Sequence, residues 1–76
     1  MAYAHPDMAQ VEALVNLAVL RWARESSGLS IEEAATRLKI KMDRLIAWEE
    51  GTKHLSVPQL RKLAELYKRP IAVFYL

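Results

Sequence analysis

The residue types that most often carry chemistry are scarce in this sequence and form no catalytic or metal-binding pattern. Cysteine is absent, and His5 and His54 are the only histidines. Without cysteines there are no thiolate ligands or redox pairs, and no His-Glu-x-x-His pattern is present, so we expect no metal and no cofactor. A chain of 76 residues also has too little bulk for a roomy catalytic cleft beside its core. We therefore expect no enzyme in this chain.

Basic residues are the other group that could do chemistry, and they form two clusters. Residues 37–44 and residues 56–76 each have a net charge of +3, whereas the whole chain has +2. Such clusters usually mark a solvated face, but they also suit nucleic-acid phosphates. Residues 29–55, taken together, are neutral, with five basic and five acidic side chains. Attraction for DNA therefore depends on how the fold arranges these charges.

The composition indicates helices as the elements that must position these residues. Alanine and leucine supply 11 residues each, whereas valine, isoleucine and threonine supply 11 together, which favours an all-α fold. The longest uncharged run, residues 13–20, has eight residues, against about 20 needed to span a bilayer. No lysine or arginine precedes Arg21, which is the wrong polarity for a targeting peptide. We expect a cytoplasmic protein without membrane contact.

Capping signals divide the chain into helices. Asp7 follows Pro6 and is a candidate N-cap for a long first helix that ends at Gly28. Ser30 and Glu33 have capping-box spacing and predict a second helix to about Leu38.

Two further helices and a short segment follow. The third helix is predicted from about Met42 to Glu50, closed by Gly51. Ser56, with Pro58 in the first turn, caps a fourth helix, and Pro70 opens a last short segment.

The second and third helices have the spacing of a helix-turn-helix. A tight connection between them would bring five apolar residues to their crossing: Ala35, Leu38, Ile40, Leu45 and Trp48. The outward positions of the third helix are then polar or small, namely Met42, Asp43, Arg44, Ala47 and Glu50. The plain alternative is that two helices pack in this way for stability alone.

The chain resembles a known family through a set of motifs along residues 17–76. The motifs are Leu20-Arg-Trp-Ala-Arg24, Gly28-Leu-Ser30, Glu33-Ala-Ala35, Leu45, Trp48-Glu49, Gly51, Leu60, Leu63-Ala64 and Arg69-Pro-Ile-Ala-Val-Phe74. Together they resemble the lambda-repressor-like, or XRE, helix-turn-helix family. More narrowly, they are similar to the N-terminal domain found ahead of ImmA/IrrE-type metallopeptidase domains, which implies that any peptidase domain would lie beyond this chain.

This resemblance implies a compact five-helix domain that binds double-stranded DNA through its third helix and regulates transcription. It places Met42, Asp43, Arg44 and Ala47 towards base edges. It assigns phosphate contacts to the backbone near Ile31 and to the side chains of Arg37, Lys39, Lys41 and Lys53. It also implies that Arg24 and Glu49 form a structural ion pair.

Three residues depart from the family pattern around the helix-turn-helix. Lys39 stands where the turn commonly has glycine, so we expect either a positive φ at Lys39 or a reshaped turn. Ile31 replaces a common glutamine, and Lys41 replaces a Ser or Thr cap. The alternative function is therefore a protein-interaction or dimerisation module that regulates an attached domain and binds DNA weakly or not at all.

The first helix predicts a second interface. Leu20 shares a face with Ala13, Leu17 and Arg24, whereas a second set of residues lies on the opposite face: Val11, Val15, Ala18 and Trp22. We expect this opposite face to form a homodimer or to dock a second domain, the alternative being that the N-terminal arm covers it.

The domain division follows from these elements. Residues 1–16 are interpreted as an arm and an extension of the first helix, and residues 17–76 as the helix-turn-helix domain. Because Ile71 to Leu76 are all apolar, we expect a further C-terminal domain in a longer protein, the plain alternative being a short helix that covers the core.

Overall fold

The computed structural model describes residues 12–76, which form four α-helices and one 3-10 turn, without a strand in that range. The helices are α1 (Leu17–Ser26), α2 (Ile31–Leu38), α3 (Met42–Glu50) and α4 (Val57–Tyr67), followed by a 3-10 turn (Ile71–Tyr75). The all-α prediction is confirmed. The count of five helices is wrong for the described residues, because the segment after Pro70 closes with 3-10 rather than α-helical hydrogen bonds.

Reciprocal capping boxes begin α2 and α4, as the sequence predicts. The Ser30 Oγ accepts the Glu33 N–H and the Glu33 Oε1 accepts the Ser30 N–H, both at 3.1 Å. Ser56 and Gln59 repeat this exchange at the start of α4. The C-terminal end of α3 is closed by Gly51, which has a positive φ of 79° that only glycine adopts without strain.

The first helix is shorter than the sequence predicts. It begins at Leu17, with Asn16 as N-cap, and the Asn16 Oδ1 accepts the Ala18 N–H at 3.0 Å. The predicted helical extension through residues 12–16 is wrong, because this segment uses its backbone elsewhere: the Ala13 N–H donates to the Leu55 carbonyl at 2.8 Å. The proposed cap Asp7 lies outside the described residues.

Asn16 also joins α1 to the last segment of the chain. Its backbone N–H donates to the Phe74 carbonyl at 2.8 Å, and its Nδ2 donates to the Leu76 carbonyl at 2.9 Å. The 3-10 turn therefore packs against α1, and Phe74 is fully buried.

The core lies between α1, the helix-turn-helix and α4. It consists of 13 buried apolar side chains: Ala13, Leu20, Ala23, Ala34, Ala35, Leu45, Trp48, Leu55, Leu60, Leu63, Ala64, Tyr67 and Phe74. Among the residues predicted at the crossing of α2 and α3, only Leu38 and Ile40 are partly rather than fully buried. Each described helix is too short or too polar to cross a membrane.

One residue predicted on the core side of α1 lies nearer the surface. Leu17 is 39% exposed and lies over Gly51, where an added Cβ would approach the Leu17 Cδ1 to 2.7 Å. Leu17 therefore covers the end of α3 instead of entering the core, because it stands in the first turn of a helix that begins later than predicted.

Candidate nucleic-acid interface

The turn between α2 and α3 is closed by a lysine in the left-handed conformation. Lys39 has φ 59° and ψ 43°, and the Ile40 N–H donates to the Ala35 carbonyl at 3.0 Å. Of the two expectations for this turn, the positive φ is the one observed. This closure stops α2 after Leu38 and leaves three residues before α3 begins at Met42, so that exposed lysines lie just before the start of α3.

A groove rich in cations follows this turn and the exposed side of α3. We call it the basic groove; it has a volume of about 490 Å³ and is lined by Lys39, Ile40, Lys41, Asp43, Arg44, Ala47 and Lys53. Four of these side chains are cationic and one is anionic. The fold thus concentrates positive charge at one place in a segment that is neutral overall.

The N-terminal half of α3 is available to a ligand. No side chain caps the helix at Lys41, so the N–H groups that lead α3 have no side-chain acceptor. Asp43 and Arg44 are exposed, Ala47 is half-buried, and Met42 is 44% exposed although it does not line the groove. All four residues predicted to face base edges therefore have accessible surface.

The loop after α3 completes the groove. The backbone N–H groups of Thr52 and Lys53 both donate to the Ala47 carbonyl, at 3.0 and 3.3 Å. These bonds fold the loop back along α3. Lys53, which follows α3 in sequence, thereby lines the same groove as Lys39, which precedes α3.

The C-terminal half of α3 holds a buried ion pair with α1. The Arg24 Nε donates to the Glu49 Oε2 at 2.7 Å and the Arg24 Nη2 donates to the Glu49 Oε1 at 3.1 Å, with the two side chains 11% and 3% exposed. The Arg24 Nη1 donates to the Leu29 carbonyl at 2.9 Å, so the guanidinium also fixes the connection to α2. Its hydrogen bond to Glu49 raises the pKa of Arg24. This arrangement has a structural role, and it leaves Glu49 unavailable to the basic groove.

Tyr67 of α4 lies close enough to the ion pair for the charges of Arg24 and Glu49 to affect its pKa. Burial, and then the negative charge of Glu49, raise the pKa of the Tyr67 hydroxyl to about 12, against the smaller opposing effect of Arg24. This buried hydroxyl has no hydrogen-bond partner in residues 12–76. The side chain of Tyr67 therefore favours its neutral, protonated form beside the ion pair.

Comparison with known proteins identifies the family. Residues 20–74 match a family model described as Helix-turn-helix. The chain belongs to this helix-turn-helix family. The family is XRE-like, as the sequence motifs predict, and membership supports a DNA-binding regulator. Searches of the curated proteins and of the solved structures found no significant match.

Two of the phosphate contacts predicted for a helix-turn-helix lie apart from the basic groove. The N–H of Ile31 is at the start of α2, where Glu32 and Glu33 place two carboxylates in the first turn. Hydrogen bonds from the Ser30 backbone and side chain, and then the charge of Arg37, lower the pKa of Glu33. Arg37 therefore lies near a carboxylate of its own helix, and it does not line the groove.

The residues predicted to form a second interface on the first helix do not all lie on one face of α1. Val11 lies outside the described residues. The placement of Val15 on the outer face of α1 is wrong, because residue 15 precedes the helix and packs partly against the core. Ala18 is exposed and Trp22 is 50% exposed, with the Arg69 guanidinium 5.0 Å from its ring centroid.

Metal ligands do not gather in the described part of the chain. Within residues 12–76 there is no group of three or more His, Cys, Asp or Glu side chains that could hold a metal ion, and His54 is exposed.

Sequence reasoning missed one side of the cationic surface. A second groove contains Gln59 and Lys62 of α4 together with Lys39 and Arg44. The sequence shows Lys62 only as part of the basic cluster in residues 56–76. Its place beside α3 depends on how α4 packs, which no local spacing encodes.

Proposed function

We propose that this chain is a sequence-specific DNA-binding domain that reads the major groove with α3 and regulates transcription. The observation that carries the proposal is the basic groove: folding brings four cations to the exposed start of α3 out of a segment without net charge. A major groove admits an α-helix, and residues near the N-terminus of such a helix reach base edges first.

The exposed side chains of α3 offer distinct base contacts. The Arg44 guanidinium can donate two hydrogen bonds to the O6 and N7 of a guanine, the commonest specific contact in DNA recognition. Asp43 can accept from the N4 of a cytosine, and the Met42 and Ala47 side chains can pack against a thymine methyl group. Arg44 therefore carries the largest share of the proposed sequence preference.

The surrounding lysines suit phosphates on either side of the helix. Lys39 and Lys41 flank the start of α3, and Lys53 reaches the groove from the loop after it. No side chain of the protein forms an ion pair with these lysines within residues 12–76, where the ion pairs join only residues of α1 with each other or with Glu49. Such contacts supply register and a salt-dependent affinity without sequence information.

Selection from a randomised duplex pool at two salt concentrations tests this function. We expect an enriched site whose affinity falls steeply with salt. Arg44→Ala should relax one base position at a cost of about 1–3 kcal/mol in binding free energy. Arg61→Ala removes an exposed arginine of α4 that lines neither groove, so it should leave the selected sequence unchanged. A pool without enrichment would contradict sequence-specific binding.

We also propose that two copies of the chain associate through the outer face of α1. This face, which we call the Trp22 face, consists of Ala18, Arg21, Trp22 and Glu25, at the helical spacing of one stripe. Arg21 and Glu25 lie one helical turn apart on this face, with the Arg21 Nε 3.8 Å from the Glu25 Oε1, so two antiparallel copies of α1 could exchange these partners and pair each arginine with the partner's glutamate. A two-fold interface requires this self-complementarity, and a DNA-reading dimer would require a two-fold symmetric site.

Sedimentation over a range of concentrations tests the dimer. Trp22→Glu should shift the protein to monomer. Tyr75→Glu changes an aromatic side chain that is equally exposed, at 50%, but lies in the 3-10 turn outside the Trp22 face, so it should leave the dimer intact. A wild-type chain that stays monomeric throughout would contradict the dimer.

That result, combined with an unenriched pool, would favour the second candidate function. In it the Trp22 face docks an attached domain, for which the sequence resemblance suggests a metallopeptidase of the ImmA/IrrE type, and the helix-turn-helix acts as an interaction module. The observation that favours this candidate is the half-exposed Trp22, because a large aromatic side chain in that state is typical of an interface anchor.

A further inference from the structure

A second cationic groove lies between α4 and the turn of the helix-turn-helix. We call it the α4 groove. It contains the side chains of Lys39, Arg44, Gln59 and Lys62, and its apolar lining includes Trp48 and Leu63. Its volume is about 260 Å³, roughly half that of the basic groove. No carboxylate lines it.

The two grooves form one continuous cationic track. Lys39, Ile40 and Arg44 line both of them, so the start of α3 stands between the basic groove and the α4 groove. Taken together, the two grooves hold five cations and one carboxylate, a formal charge of +4, against +2 for the whole chain. The positive surface therefore continues from the helix-turn-helix onto α4.

The polar groups of the α4 groove are donors. The Gln59 Oε1 already accepts the Ser56 N–H at 2.7 Å in the capping box, so Gln59 offers a ligand the Nε2 end of its amide. Lys62 is exposed and Lys39 is exposed, and both carry an ammonium group that donates and never accepts. A small group with several acceptor oxygens and a negative charge matches this set, and a base edge, which presents donors as well as acceptors, matches it less well.

We propose that the α4 groove binds a phosphodiester group of the DNA backbone, with Lys62 and Lys39 as its charged contacts and the Gln59 Nε2 as a neutral donor. This inference rests on the proposed function, because it assigns a further phosphate to the same complex. Arg44 then lies between a phosphate held by α4 and the bases read by α3. Lys62 is in this way a positioning residue, which fixes how α3 enters the major groove without reading sequence itself.

Salt-dependent binding to one duplex tests this inference. The duplex carries the site selected by the wild-type chain, and Lys62→Gln is compared with Arg61→Gln, a neighbouring charge loss on the same helix that lines neither groove. Loss of one phosphate contact should reduce the slope of log affinity against log salt by about 0.9. Over a fourfold rise in salt, the factor by which affinity falls should therefore be about threefold smaller for Lys62→Gln than for the wild-type chain.

A second duplex of random sequence separates positioning from base reading. Lys62→Gln should weaken both duplexes by a similar factor, since a phosphate contact is independent of sequence. Both variants should keep the wild-type melting temperature, because Arg61 and Lys62 are exposed. Arg61→Gln should keep the wild-type slope or depart from it less than Lys62→Gln does.

The outcomes distinguish this inference from the function on which it rests. A wild-type chain that binds both duplexes, with equal slopes for the two variants, would overturn the phosphate contact at Lys62 alone. A wild-type chain that binds neither duplex at low salt would overturn the DNA-binding function and the inference together.

Discussion

The two ends of α3 place charged residues in opposite surroundings. At its C-terminal end Glu49 is buried and paired with Arg24 at 2.7 Å, whereas at its N-terminal end Arg44 is exposed and lies among lysines. Removing charge from water is costly unless a partner compensates for it, so the buried end tolerates only a paired charge. The exposed end keeps its cations hydrated until a ligand takes them. One helix thus separates a charge that stabilises the fold from charges that remain free to bind.

The largest effect should come from breaking the buried end. Glu49→Ala leaves the Arg24 guanidinium buried without its carboxylate, and we expect a loss of about 3–5 kcal/mol in the free energy of unfolding. Chemical denaturation would measure the loss, and duplex binding below the melting temperature should be unchanged per folded molecule. Glu50→Ala removes the adjacent, exposed carboxylate and should alter stability by less than about 0.5 kcal/mol. An unchanged melting temperature in Glu49→Ala would contradict the structural role of the pair.

A pH titration should show the same region from another side. The pKa of Tyr67 is about 12 in the folded chain against 10.0 for an ordinary tyrosine, so the folded state holds this proton more tightly than the unfolded state. Stability from this group is therefore complete below pH 10 and is lost as the pH rises towards 12, by about 2–3 kcal/mol in all. Tyr67→Phe should remove that loss, as followed by denaturation at pH 8 and pH 11.

The exposed Tyr75 provides the control for this titration. Tyr75→Phe should keep the alkaline loss of stability expected for the wild-type chain. If Tyr67→Phe loses stability above pH 10 as steeply as Tyr75→Phe does, the hydroxyl beside the ion pair is not its cause.

A smaller effect should separate stability from binding at the exposed end. Lys39 and Lys68 both close a helix with positive φ, 59° and 54°, where glycine has no Cβ penalty. Lys39→Gly and Lys68→Gly should each raise the free energy of unfolding by about 0.5–1 kcal/mol. Lys39→Gly should also lower duplex affinity, and it should reduce the slope of log affinity against log salt by about 0.9. Lys68→Gly should change neither the affinity nor the slope. Equal duplex affinities for the two variants would argue against a DNA contact at Lys39.

The smallest effect should appear at the start of α2 in acid. Hydrogen bonds from Ser30 lower the pKa of Glu33, so its contribution to stability is present above pH 4.5 and is lost as the pH falls through the lowered pKa. Glu33→Gln keeps the capping box but does not titrate, and its stability should depend less on pH between 5 and 3, as measured by thermal unfolding. Glu32→Gln leaves the capping box intact and should behave as the wild-type chain.

Local signals in the sequence predicted those features that local hydrogen bonds determine. The capping boxes of Ser30 and Ser56, and the closure of α3 at Gly51, involve residues within one turn of each other. Such patterns can be seen in any short window of sequence. The starts of α2 and α4 and the end of α3 followed from them.

Features that depend on distant residues could not be predicted in this way. The helical period continues through residues 13–16, yet the Ala13 N–H bonds to Leu55 and the helix begins only at Leu17. The same holds for the site. The residues of the basic groove lie within 15 positions of one another, from Lys39 to Lys53, and all of them except Ile40 were predicted from the motif as site residues. Lys62, by contrast, joins the surface only through the packing of α4.

The hydrogen bonds of Asn16 have a consequence for the order of folding. Its side chain reaches the carbonyl of a residue 60 positions away, whereas the turn that joins α2 to α3 closes over five residues. Closing a long loop costs more chain entropy than closing a short one, and distant contacts form late in small helical domains. The helix-turn-helix should therefore assemble before Asn16 secures the 3-10 turn. The same bonds should open first, so the amide of Asn16 would exchange with deuterium sooner than the amides within α3.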